Sequence, residues 1–281
     1  MHIDTTNRII QGLPKLPTDI SIQGVEVSCS DISFAPGREW KFGQGDTVNG
    51  DKVLTVKVVA SRRDNARSLG EAVGVAKTTF MSPWGWPSPE KVTSLEQARG
   101  AMEHLAHRFG EVVQNTPLTL HPVMHWLALE PQLHYLRSSS SSALGLHEEM
   151  PELAAVVVGS AFDWAIWDAA GRLNGCPAPE LLQHRFLPVD LDTLFQDTRF
   201  QGRSAEEFIG RPPRHATLNR IHSISIKDAL TPGQSTLSEV DGLPTNLTDW
   251  IRQEGISHFK IKLVGNPQEN VERVLDIYLV A

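Results

Sequence analysis

Cysteine is nearly missing from this sequence: Cys29 and Cys176 are the only two, far apart and without a Cys-x-x-Cys pair. That excludes a disulfide scaffold and a thiolate metal knuckle, and it fits two reduced thiols in a cytosolic chain. Basic charge is not in excess either. The 26 Lys and Arg residues face 33 Asp and Glu, a net charge of −7. There is thus no electrostatic footprint for nucleic acid and little attraction to an anionic membrane surface. No uninterrupted apolar run reaches the about 18 residues of a membrane span. The start, MHIDTTNRIIQG, has no apolar signal-peptide core. The expectation is a cytoplasmic protein with no nucleic-acid and no membrane partner. Neither a Gly-x-Gly-x-x-Gly after a strand nor a P-loop is present, which argues against a nucleotide binder. His121 and His125 in HPVMH stand four apart, but no acid follows the first His as a metalloprotease motif requires. Core or surface histidines are expected there.

What remains is the composition of a globular protein, 40% hydrophobic and 21% charged. Residues 1–19 read as a loose leader. Strand-like alternation follows at 20–29, 52–60 and 72–79, an antiparallel meander. Two loops decorate it. One, SFAPGREWKFGQGDTVNGD, carries Arg38, Trp40 and Phe42; the other, FMSPWGWPSPE, carries Trp84 and Trp86. Aromatics on such loops are costly to expose unless they cover something, and packing of each loop on its own sheet stays open as the alternative.

From Ser94 the period turns helical, with Ser94 and Gln97 as a capping box. The serines at 138–142 read as a low-complexity loop. Residues 152–173 form the strongest helix, stopped by Asn174-Gly175; its Asp163 and Asp168 read as structural. Residues 185–220 lack a clear period and read as a linker or insertion. Then come a strand at 221–230, a short helix capped by Thr245 or Asn246, a strand at 256–263, and a helix with Pro267 in its first turn. That is βαβα, the start of a parallel α/β unit. In the last strand, Lys260 and Lys262 are two apart and project to the same side. Two ammonium groups there repel, which favours loss of one proton and suits a general base. A solvated polar face is the plainer reading of the same spacing.

Two stretches, SAFDWAIWDAAGRLNGCPAPELL and GISHFKIKLVGNPQENVERV, with the Trp-bearing loops as a weaker third, make the chain similar to the enolase superfamily. It most resembles the mandelate racemase and muconate-lactonizing branch. The resemblance implies an α+β capping domain over 20–184 and, after 185–220, the first two βα units of a TIM-type barrel over 221–281. It implies Mg²⁺-dependent abstraction of the proton α to a carboxylate through an enediolate, in a racemase, epimerase or acid-sugar dehydratase. Lys262 would be the base and Lys260 its neighbour on the carboxylate. Arg38, Trp40, Trp84 and Trp86 would select a small carboxylate such as an acid sugar, in a homo-oligomer. Such a barrel takes about 250 residues, and the span 221–281 accommodates only its start. The resemblance therefore expects the metal ligands on strands beyond Ala281, names none in this chain, and points to a truncated sequence. The alternative is a catalytically dead remnant acting at most as a binding or oligomerising module.

Overall fold

The computed structural model describes residues 10, 15–36, 39–42, 46–64, 67–86, 94–209, 219–235, 242–263 and 265–281. In chain order the strands and helices are β1 (Ile20–Ser33), β2 (Trp40–Phe42), β3 (Asp46–Val48), β4 (Gly50–Asp64), β5 (Arg67–Thr79), α1 (Ser82–Gly85) and α2 (Leu95–Gln114). There follow β6 (Thr119–Leu120), α3 (Pro122–Ala143), α4 (Glu152–Asn174), α5 (Leu191–Phe195), α6 (Glu206–Ile209), β7 (Ile221–Ile224), α7 (Leu247–Glu254), β8 (His258–Ile261) and α8 (Pro267–Val280). The chain divides into two compact units, 1–33 with 50–211, and 34–49 with 212–281.

The first unit is built on an antiparallel sheet in the order β5-β4-β1-β6. Alternation sends Leu54, Val56, Val58 and Ala60 of β4 into the core, all fully buried. Helix α2 starts on its capping box: Ser94 Oγ accepts from Gln97 N at 3.2 Å and Gln97 Oε1 from Ser94 N at 2.9 Å. Its Met102, Leu105 and Phe109 meet Phe162 of α4 in the same core.

By length and composition α4 could cross a membrane, yet its Ala154, Val158, Phe162, Ala165 and Ala169 line the core of this unit. Small residues let it lie directly on β5. A Cβ on Gly74 would stand 2.0 Å from the carbonyl oxygen of Ala165, so only glycine fits. Gly175 ends the helix with φ of 63°, the left-handed stop expected there.

The serine run is not a loop but the last turns of α3. Its hydroxyls bond back to the helix: Ser139 to Leu136 O at 2.9 Å and Ser142 to Ser138 O at 3.1 Å. Ser141 Oγ also accepts from the amide of buried Met150 at 2.9 Å, which pins the connection to α4. Within 185–209, Leu187, Val189, Leu191 and Leu194 form a second apolar cluster with Leu120 and Met124.

In the second unit β2 pairs antiparallel with β3, and β7 parallel with β8. Leu247, Ile277, Ile224 and Leu230 make its core, with Phe259 and Ile261 packed against them.

Candidate functional site

The sequence around Lys260 folds locally for simple reasons. Asn246 caps α7 through Asp249 N at 3.1 Å, Gly255 stops that helix with φ of 64°, and the chain then enters β8. Asn266 caps α8 through Gln268 N at 3.1 Å, with Pro267 at the first helical position. The strands are short, Ile221–Ile224 and His258–Ile261 rather than the longer runs read from the sequence. The Lys262 amide extends the ladder by one bond, to Ile224 O at 2.8 Å.

Period two then sorts the side chains. Phe259 and Ile261 face the helices, as does buried Ile224; His222 stacks on Trp250 with ring centroids 4.7 Å apart. The opposite face carries Ile221 and Ser223 of β7 and His258 and Lys260 of β8, with Lys262 next in the alternation; all five are exposed. Ser223 is the register partner of Lys260, and Ile221 that of His258. The structure thus places Lys260 on the exposed face of β8 and Lys262 one residue past its end, with the Lys262 amide still on the ladder. It adds His258 and Ser223, which the sequence reading passed over although His258 obeys the same two-residue period. Among the described residues neither lysine has an ion-pair partner. His258 is held by Ser257 Oγ at 3.0 Å. Such a face can attract an anion and exchange protons with it.

The other expected site residues are placed differently. Arg38 lies outside the described residues. Trp40 pairs with Val48 at the start of the β2–β3 hairpin of the second unit. Trp84 on α1 and Trp86 at its C-terminal end belong to the first unit, with opposite fates. Trp84 is 49% exposed; Trp86 is completely buried in the main core, so it presents no surface to a ligand. The loop between them and β5 is fixed by the buried carboxylate of Asp51. It accepts from Met81 N and from Ser82 Oγ, each at 2.7 Å, and faces Arg99 Nε at 3.3 Å. That network holds Met81 in a left-handed conformation, φ 49°.

The two histidines of HPVMH are structural. His121 Nδ1 accepts from Val123 N at 3.2 Å, capping α3, while its Nε2 donates to Leu181 O at 3.0 Å. His125 Nε2 donates to Ile20 O at 2.9 Å. Burial pushes both imidazoles down to about 4, so they are neutral at physiological pH. The two aspartates of α4 are structural too. Asp168 binds the Val75 amide and Arg172. Asp163 is raised to about 6, chiefly by burial. Among the described residues no group of three or more His, Cys, Asp or Glu could hold a metal ion.

No family model and no curated protein matches the chain. Among solved structures, it is similar to the mandelate racemase/muconate lactonizing enzyme from Roseovarius nubinhibens ISM, at 14% identity and a TM-score of 0.44. The match covers 93% of this chain and 50% of that one, so this chain spans about half the length of that enzyme. At this identity and superposition the likeness assigns neither a family nor an activity.

Proposed function

We propose that the lysine face belongs to an enolase-superfamily enzyme of the mandelate racemase and muconate-lactonizing type, acting on a small carboxylate. The observation that supports this is exposed Lys260 on β8 of a parallel β-α-β unit, with exposed Lys262 just past the end of that strand. In this reading the ammonium of Lys260 pairs with the substrate carboxylate. Lys262 is the base that takes the α proton, leaving an enediolate. Return of a proton to carbon gives racemisation or epimerisation; loss of a β-hydroxyl gives dehydration. The Mg²⁺ implied by the resemblance would stabilise the enediolate. The described residues do not assemble a ligand set for it. The chemistry assigned to this chain is therefore confined to proton transfer and carboxylate contact. The same reading expects a cytoplasmic homo-oligomer.

A second reading has one observation in its favour: both lysines are exposed, so nothing dries the site as proton abstraction from carbon requires. The chain would then be a non-catalytic binding or oligomerising module.

The test is exchange of the α proton for deuterium, followed by NMR over a panel of 2-hydroxy acids and acid sugars with Mg²⁺ present. Exchange is expected from a protein in which this unit is joined to a Mg²⁺ ligand set, and lost there in Lys262→Ala at unchanged melting temperature. Equal exchange in both proteins would remove Lys262 as the base. No exchange in either would leave the non-catalytic module.

A further inference from the structure

We propose that the cavity at the head of β1 binds a small primary amine with an apolar body. The cavity measures about 390 Å³ and lies within the first unit, independent of the lysine face. That volume falls in the range of about 300–1,000 Å³ usual for small-molecule sites. Its walls include Leu118, Met124, Phe186 and Val189, where an aliphatic or aromatic body leaves water.

One lining group gives the cavity a charge preference. Asp19 is only 5% exposed, and it stands directly before β1. A tight turn holds it: its amide donates to Leu16 O at 3.1 Å, and Leu16 N donates to Oδ2 at 2.9 Å. Among the described residues no other hydrogen bond and no ion pair reaches this carboxyl. Burial raises it to about 6, so it is a poorly solvated anion at neutral pH. The other polar groups are already committed. Both ring nitrogens of His121 bond to backbone, and Thr119 Oγ1 shares a 2.6 Å bond with Ser21 Oγ. Lys15 also lines the cavity and its charge favours the Asp19 carboxylate, but it forms no ion pair with it, is exposed, and its ammonium can remain in water. A ligand ammonium would supply what Asp19 lacks, a charge-assisted hydrogen bond in a partly apolar setting.

The experiment titrates the full chain with cyclohexylamine, cyclohexanol and cyclohexanecarboxylate by calorimetry at neutral pH. The amine is expected to bind roughly tenfold more tightly than the alcohol, with the acid weakest. Asp19→Asn should erase the preference for amine over alcohol, and Leu118→Trp should block all three by filling the cavity. Equal binding of amine and alcohol, or no binding of the amine, would overturn the proposal. Should Asp19→Asn not fold, Leu118→Trp decides, because unchanged amine binding in that variant also overturns it. Loss of α-proton exchange in Lys262→Ala is read separately, and neither result bears on the other.

Discussion

Asp168 on α4 accepts a 3.0 Å hydrogen bond from the backbone amide of Val75 on β5, so a helix side chain occupies a donor of the sheet's edge strand. An unpaired edge amide invites pairing with another chain, and a carboxylate placed on it blunts that edge. The neighbour of Val75 makes the approach possible, because any side chain at Gly74 would strike the helix backbone.

Asp168→Ala should therefore cost about 1–2 kcal/mol, the worth of a charge-assisted bond. Exchange of the Val75 amide should quicken. Gly74→Ala should cost about 3 kcal/mol or more, because the clash is with backbone and cannot be relieved by a rotamer. Urea unfolding and hydrogen exchange measure both. Unchanged protection at Val75 in Asp168→Ala would sink the first claim.

The response to pH follows from two opposed pairs. His121 and His125 fall from 6.5 to about 4 on folding, so their neutral burial is fully tolerated above 6.5 and is lost as pH drops toward 4. Each sets about 3 kcal/mol against folding at the acid limit. Asp19 and Asp163 rise from 3.8 to about 6, so their contribution runs the other way, weakening the fold as pH climbs from 4 to 6. The two pairs offset each other between pH 4 and 6. Asp163→Asn removes part of the opposition and should make stability rise more steeply with pH in that window. His121→Asn, which keeps an N-cap, should flatten or reverse the slope. Parallel profiles for native protein and Asp163→Asn would show that Asp163 does not titrate as described.

Two serines of one run should answer differently. Ser141→Ala loses the bond to the buried Met150 amide and should cost about 1 kcal/mol. Ser139→Ala removes an exposed hydroxyl that bonds only its own helix, and should be neutral or stabilising by a few tenths, about 0.3 kcal/mol. Chemical denaturation of the two variants gives the comparison; equal losses would mean the Met150 contact carries no weight.

The two loop tryptophans should separate just as clearly. Trp86→Ala empties a fully buried site and should cost about 3–5 kcal/mol. Trp84→Ala should change stability by less than about 1 kcal/mol, since half its surface is already in water. If Trp84→Ala proves as destabilising as Trp86→Ala, the loop is packed otherwise than described.

Features that depend on near neighbours in sequence were legible from the residues. The meander follows from two-residue alternation over β1, β4 and β5. The Ser94 capping box, the Gly175 stop and the Asn246 cap follow from local hydrogen bonding. The serine run was misjudged because composition ignores where a hydroxyl can turn; these hydroxyls return to their own helix and one reaches Met150. Residues 187–194 showed no period because their partners, Leu120 and Met124, are distant in sequence.

For the candidate site the division is equally physical. By itself the sequence determined that Lys260 lies on a strand with Lys262 two residues on, a spacing the pleat would send to one side, although β8 ends at Ile261. Tertiary structure decided which side meets the helices, that parallel register sets Ser223 opposite Lys260, and that His258 joins them. It also decided that Trp86 is core while Trp84 is surface, through the Asp51 network that fixes their loop. Burial of Asp19 beside a cavity belongs to the same class. A carboxyl's exposure depends on what residues more than a hundred positions away place around it, and no local pattern records that.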